Sequence, residues 1–330
     1  MPGITGQGTT YNLPNYVGEL FSASPEDTPL LSAIGGLTGG RSTGGAKLFE
    51  WQGYDLRDAD ESRQRLEGAD APAGEERVRY SASNVVEIHQ EAVELSYTKQ
   101  ATSGQRTVDA GVTTVTVGST VIPASELAWQ LEQQFKQIAR DVEKTFIVGE
   151  YANPSSNALP RKTRGLLQAI TSNISAVEVE EGDPLASGLT EEIVLDLFQD
   201  VWESGGIQES ETRTVIVGAD LKRALTKIFI KDKGYEESSR NVGGVNLQTF
   251  ETDFGKASIM LDRYMPAGTL AVTSLEDLAP RFLEIPNKGH FFAEPLAKTG
   301  SSDKVQIYGE IGLEYGNELK HGKLVITEEA

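Results

Sequence analysis

Cysteine is absent from this 330-residue chain, and histidine occurs three times. The first absence excludes disulfide staples, thiolate metal sites and a cysteine nucleophile together. The second leaves little for imidazole chemistry, because His89, His290 and His321 lie far apart and share no ligand-like spacing. No stretch approaches the ~18 consecutive apolar residues of a membrane span. The first twenty residues contain neither Lys nor Arg nor an apolar core, so no secretory signal is read there. Positive charge is scarce too, with Lys+Arg 30 against Asp+Glu 49 and a formal net charge of −19. A protein that grips a phosphate backbone needs the opposite sign, since its affinity comes from Lys and Arg displacing counterions. No Gly-x-Ser-x-Gly elbow presents a serine. With 49 carboxylates, naming any one pair as general acid and base carries no information. The sequence therefore nominates no catalytic, cofactor or metal residue, and it suits a reducing, intracellular setting without membrane contact.

What is present reads as distinct parts. Residues 1–45 form a polar arm rich in Gly, Thr, Asn, Ser and Pro, in which only Pro29 to Ile34 makes an apolar helical turn. Such a segment buries too little to order itself, so it is expected to be disordered or held by a partner. Gly35 to Ser42 imitates a phosphate-binding loop, but the buried strand that such a loop needs before it is missing. Residues 46–83 read as a long β-hairpin: Phe49 and Trp51 alternate with Glu50 and Gln52, and Val78, Tyr80 and Ala82 alternate on return. Its charged tip includes Asp58-Ala59-Asp60-Glu61, which lacks the Gly and downstream Glu of a calcium loop. An isolated hairpin is marginal in water and wants a neighbour. Beyond it the apolar phase shifts from Val86 and Ile88 to Val93, Leu95 and Tyr97, which predicts a bulge near Gln90-Glu91.

The strongest periodicity follows. Leu127, Leu131, Phe135, Ile138, Val142 and Phe146 trace one stripe of a helix over about 124–149, with Pro123 in its first turn and Gly149 at its end. At 1.5 Å per residue it runs roughly 37 Å. Taken alone, it is a generic amphipathic core helix. After the loop Asn153 to Asn157, a helix capped by Thr190 carries Ile193, Val194, Leu197, Phe198, Val201 and Trp202. Thr214 to Val217 reads as a buried strand, Ala219 to Ile230 as a helix, and Val245–Phe250, Ala257–Leu261, Thr269–Val272, Val305–Tyr315 and Lys323–Thr327 as strands. Mixed elements without a steady βαβ rhythm predict an α+β fold.

This order of parts resembles the Hong Kong 97 fold of tailed-phage major capsid proteins, and the likeness covers nearly the whole chain. More specific is a C-terminal run similar to one branch of those proteins: Leu296-Ala297-Lys298-Thr299-Gly300, Asp303-Lys304, Gln306-Ile307, Gly309-Glu310, Leu313-Glu314, Asn317 and His321-Gly322. Thr28-Pro29-Leu30-Leu31, Tyr264 to Gly268, and Arg140 to Lys144 on the long helix belong to the same likeness. Thr107 to Thr120 looks like an insertion, a small hairpin ahead of the long helix. The resemblance implies an N-terminal arm (1–45), an extended loop (46–83), a peripheral domain (84–164) with its spine helix, an axial domain (165–285), and return strands (286–330) completing the peripheral domain. It implies self-assembly into hexamers and pentamers of an icosahedral head shell around double-stranded DNA, without sequence-specific binding. Portal protein is an implied partner, with scaffolding and decoration proteins as further candidates. The expected location is the virion, after assembly in the host cytoplasm.

Trp51, Arg57, Arg63, Arg65, Arg77 and Arg79 are the expected intersubunit contacts of the loop, and the stripe from Leu127 to Phe146 is the expected spine core. No long helical segment precedes the arm, so the arm is expected to persist in the mature particle. The alternatives are an encapsulin-like nanocompartment shell, which shares the architecture, and a carboxylate-dependent α+β hydrolase. An isopeptide cross-link through the loop, as in the type member of the fold, needs a lysine near the tip. Asp55 to Glu76 contains none, and guanidinium is a poor nucleophile at its pKa above ~12. Denaturing gels of mature heads are expected to show a monomer band, and a ladder of covalent rings would refute this.

Overall fold

The computed structural model describes residues 26–54, 56, 59–101, 114–117, 120–123, 126–208, 211–231 and 248–329. In chain order the helices are α1 (Pro29–Ile34), α2 (Tyr97–Ala101), α3 (Glu126–Val148), α4 (Leu166–Ala169), α5 (Glu191–Glu203) and α6 (Ala219–Leu225). The strands are β1 (Arg41–Ser42), β2 (Leu48–Tyr54), β3 (Arg79–Val85), β4 (Glu87–Ser96), β5 (Thr114–Val117), β6 (Thr120–Pro123), β7 (Ile174–Val179), β8 (Arg213–Val217), β9 (Gln248–Thr252), β10 (Gly255–Leu261), β11 (Thr269–Ser274), β12 (Ala279–Phe282), β13 (Phe291–Pro295), β14 (Ser302–Glu314) and β15 (Gly322–Glu328). No described helix is long and apolar enough to cross a membrane.

A five-stranded sheet is organised around β14. One edge of β14 pairs antiparallel with β4 from Ser302↔Ser96 to Ile311↔Glu87, and the other edge pairs with β13 and then β12. The stripe of α3 packs against this sheet. Leu131, Ile138, Val142 and Phe146 are fully buried among Val93, Phe291, Ile307 and Ile311, whereas Leu127 and Phe135 are partly buried at the margin of that core. Phe135 meets Phe291 edge-on at 6.0 Å.

The six-stranded sheet has the order β7-β15-β11-β8-β10-β9. Strands β8 and β10 are parallel, whereas β11 is antiparallel to both β8 and β15. One face, with Val215, Val217, Leu270, Val272 and Leu324, forms a second core with Val194, Leu197, Phe198 and Val201 of α5. The opposite face places Ile216, Met260 and Ala271 in the first core. With both faces covered, β8 reads as a continuous apolar run rather than an alternating one. Thr190 caps α5 as expected, its Oγ1 accepting the Ile193 N–H at 3.3 Å.

Several sequence expectations need correction. The β4–β14 ladder is unbroken, so there is no bulge at Gln90-Glu91. The interruption is at Val86, where the chain leaves the β2–β3 hairpin and enters the larger sheet. The apparent phase change arose because Ile88 faces outward, 49% exposed, while its inward neighbour is the carboxylate Glu87. That carboxylate is satisfied by the Thr163 N–H at 3.1 Å and by His89 at 2.7 Å. Pro123 ends β6 instead of opening the helix, which begins at Glu126. In the stretch Thr107 to Thr120, β5 pairs with β6, which runs on to Pro123, while residues 107–113 and 118–119 lie outside the described residues. The predicted helix Ala219 to Ile230 splits, with α6 giving way to a π-helical turn at Thr226–Lys231.

The return strands divide between sheets. β14 centres the five-stranded sheet, but β15 lies between β7 and β11 because Leu324 and Ile326 alternate into the second core. β12, expected within the axial segment, pairs with β14. The last third of the polar arm is held by its own chain: Leu30, Leu31 and Leu37 are buried in the first core, and β1 pairs with β12. The glycine run serves this docking. At Gly40 (φ 135°) a Cβ would lie 2.6 Å from both the Phe282 ring and the Pro280 carbonyl oxygen, so the run is a close backbone approach rather than a phosphate cradle.

Phe146→Ala is expected to cost about 3–5 kcal/mol by opening a core cavity. Phe135→Ala should cost clearly less because its ring is only partly enclosed. Chemical denaturation of the unassembled subunits checks the order, and equal costs would contradict the packing described.

Candidate functional site

The extended loop is an antiparallel pair, β2 and β3, in register from Leu48↔Val85 to Tyr54↔Arg79. Burial falls along it. Phe49 and Val85 are buried at the base, while Tyr54 is 65% and Val78 83% exposed at the far end. Across the pair, the Tyr80 ring covers Gly53 so closely that a Cβ there would lie 2.2 Å from it. Past Tyr54 the ladder stops. The tip contains a short helical turn at Glu61–Arg63, capped by Asp60, whose Oδ1 accepts the Ser62 N–H at 2.8 Å. The Ser62 hydroxyl first, and then that amide, hold the Asp60 carboxyl below its ordinary pKa. Its neighbour Asp58 lies outside the described residues.

Arg63 and Arg77 both bond to Glu75, Arg77 at 3.0 Å. Those bonds, Arg63's first, pull the exposed Glu75 carboxyl down to about 2. In the single chain these two arginines brace the tip instead of projecting from it. Arg79 reaches Gln52 at 3.5 Å, and Arg65 is exposed and makes no ion pair among the described residues. Arg57 lies outside the described residues. The sequence reading stressed arginines and passed over apolar residues: Leu56 (75% exposed) and Leu66 (85%) join Tyr54 and Val78 in the open. Apolar residues set in a charged, turn-rich stretch were the available signal.

Trp51, expected at a subunit contact, is turned onto its own chain. Its indole N–H donates to the Gly316 carbonyl at 2.7 Å, and its ring meets Tyr315 edge-on at 4.8 Å. Phe49 stacks beside it at 5.8 Å, over Gly312. Asn84, fully buried, completes the base. Its Oδ1 accepts the Arg164 N–H at 2.8 Å and its own neighbour Val85 N–H at 2.9 Å; its Nδ2 donates to the carbonyls of Leu313 at 2.7 Å and Arg164 at 3.1 Å. One amide thus joins three separate backbone segments. The projection therefore has a fixed root and an uncovered tip, which is what docking on a separate molecule requires.

The histidines are separately engaged. His89 contacts Glu87, His290 stacks on Phe282 at 4.5 Å, and His321 is buried with Nε2 at 2.8 Å from the Tyr315 carbonyl. Burial lowers the pKa of His321, so it stays neutral.

Comparison with known proteins places this architecture among shell-forming proteins of the Hong Kong 97 type. The fold is shared with the capsid of Cyanophage P-SCSP1u, at 11% identity and a TM-score of 0.57 over 98% of this chain and 96% of that one. It is shared equally with the SrpI encapsulin of Synechococcus elongatus PCC 7942, at 10% identity and a TM-score of 0.55 over 97% and 95%. Residues 3–328 match the SU10 major capsid protein family, and the chain belongs to that family. It is also similar to a major capsid protein of Escherichia phage Phieco32, 23% identical over 91% of this chain and 90% of that protein. The chain is thus a structural protein of the virion, the major capsid protein of a tailed phage, and it assembles with itself into a shell.

Asn84→Ala is expected to destabilise the unassembled subunit by about 2 kcal/mol or more, because several buried backbone groups lose their partner. Trp51→Phe removes one hydrogen bond and should cost about 1 kcal/mol. Urea denaturation of both variants tests this ranking, and a neutral Asn84→Ala would show that the amide does not root the loop.

Proposed function

We propose that the shell is icosahedral, built from hexamers and pentamers of this chain around double-stranded DNA, and that the extended loop is the projection by which each subunit grips the next. The carrying observation is the contrast within one hairpin. Its root is locked by Asn84 and Trp51, while Tyr54, Leu56, Leu66 and Val78 lie exposed at its tip. Exposed apolar residues on a rooted projection gain free energy when a neighbour covers them, at roughly 25 cal/mol per Å² of apolar surface. A heterologous contact of this kind, repeated by rotation, closes rings. Arg65 and Arg79, with Arg57, supply charged contacts around that apolar centre, while Arg63 and Arg77 act through Glu75 to shape the tip.

In this reading residues 1–45 are the arm, 46–83 the extended loop, and α3 with the five-stranded sheet the peripheral domain. The six-stranded sheet with α5 and α6 is the axial domain, and β15 belongs to it. Leu127 to Phe146 form the spine core. The chain works without catalysis. Portal protein joins the shell, scaffolding and decoration proteins are further candidates, and assembly takes place in the host cytoplasm. The encapsulin likeness in fold makes cargo enclosure the competing reading; the match to a phage capsid family favours DNA, and the nucleic-acid content of isolated particles separates the two.

Replacing Leu56 to Ala73 by a short Gly-Ser turn deletes, among the described residues, none of either buried core. The subunit is expected to keep its melting temperature while closed shells disappear from electron micrographs. Normal shells from this variant would remove the loop from the assembly mechanism.

A further inference from the structure

Helix α1 begins with Pro29, which has no N–H, so its first free amides belong to Leu30 and Leu31. Thr28 contributes no side-chain cap. Instead Glu143, more than a hundred residues later on α3, accepts both amides, Leu30 at 2.7 Å on Oε1 and Leu31 at 2.6 Å on Oε2. The next amide, Ser32, returns to the Thr28 carbonyl at 3.0 Å. A fully buried carboxylate on α3 is therefore the cap of the arm helix.

Glu143 has a second buried acid against it. Asp262, 1% exposed at the end of β10, accepts the Tyr264 N–H on Oδ1 at 2.8 Å, while its buried Oδ2 has no hydrogen-bond partner among the described residues. The Asp262 carboxyl lies within interaction range of Glu143, and two carboxyl groups that meet can bond only with a proton between them. Among the described residues, the nearby charged groups are engaged elsewhere. On α3, Arg140 is bonded to the Tyr264 hydroxyl and Gln137, and Arg263 reaches Asp27 at the surface. Asp220 accepts from the Gly268 N–H. Among the elements packed on α1, Arg281 is committed to Glu314, Glu276 to Thr212, and Asp277 to Lys320.

We propose that one proton shared by Glu143 and Asp262 latches the arm helix α1 to the spine helix and to the six-stranded sheet, and that loss of this proton releases the arm. Burial first, then the bond to and charge of Asp262, push the Glu143 carboxyl up to about 9, and burial raises Asp262 as well. The sign follows. The folded pair holds its proton where the unfolded chain would have released it, so the latch is intact from acid to neutral pH. It fails as pH rises through about 9, when two buried anions face each other. A cleft of about 470 Å³ lined in part by Asp27, Pro29, Asp220 and Asp262 gives solvent a route to Asp262. The device belongs to the folded subunit and stands whether or not the loop drives assembly.

Asp262→Asn provides the test, because its amide N–H donates to Glu143 at every pH and its Oδ1 still serves Tyr264. Hydrogen exchange of the full chain, corrected for intrinsic rates, should show residues 29–34 losing protection by about tenfold or more between pH 7 and pH 10, with α5 unchanged. In Asp262→Asn the protection should stay constant. Infrared spectra of the unsubstituted protein at pH 7 should contain a protonated carboxylic-acid band that is lost at pH 10 and lost in Asp262→Asn. Absence of that band at pH 7, or arm protection independent of pH in the unsubstituted chain, overturns the proposal. Both readouts need only the unsubstituted chain, so a variant that fails to fold leaves the decision intact. An Asp262→Asn protein that folds and still sheds the arm at alkaline pH overturns it equally.

Discussion

The unbroken pairing of β4 with β14 is the constraint from which the remaining geometry follows. Ten residues of β4, from Glu87 to Ser96, are matched without a slip to Ser302–Ile311. A one-residue shift would turn Val93 and Leu95 away from α3 and bring Glu94 into the first core. Because β14 continues past this ladder, its last residues fix the loop's root: Leu313 accepts from Asn84, and Gly316 just beyond accepts from Trp51. The same strand offers its other edge to β13 and β12, and β12 holds β1 of the arm. Long-range pairing of this kind costs loop-closure entropy before any contact is gained. Its register must therefore be over-determined, and buried side chains on α3 supply that determination.

Periodic elements were legible in the sequence because their cause is local. The stripe Leu131-Ile138-Val142-Phe146, the Thr190 cap, and the alternation in Phe49 to Gln52 and Val78 to Ala82 each report a face meeting a core. The turn Pro29 to Ile34 was legible as a helix for the same reason. Reading failed where a polar residue takes a core position. Glu87 on β4 disguised a continuous strand as one with a phase change. Glu143 sits among the α3 residues that face inward, and on polarity alone it counts as solvent-facing. Its hydrogen-bond partners are two amides more than a hundred residues earlier, and no local pattern encodes them.

The same limit explains the arm. Composition alone said that residues 1–45 bury too little to order themselves, and for a free segment that argument is sound. It omitted what the rest of the chain supplies: a ready-made acceptor for the unpaired amides of a six-residue helix, and an edge strand for Arg41–Ser42. A helix this short is unstable alone. Here the capping energy comes from Glu143 and the apolar energy from Leu30 and Leu31 in a core built by other elements.

The division of labour between polar and apolar groups runs opposite ways at the two ends of the extended loop. At its root the polar groups are buried and fully partnered, as Asn84 shows, so they fix direction at little net cost. At its tip the polar groups bond one another in the open, Arg63 and Arg77 through Glu75. Exposed ion pairs of that sort contribute little stability and are weakened by salt. They set the tip's shape without committing its apolar residues, and Leu56 and Leu66 stay uncovered within one chain. A loop designed to fold back would have spent those residues on its own core. Leaving them out gives the single subunit an uncovered apolar surface, which is what the proposed contact with another copy would cover.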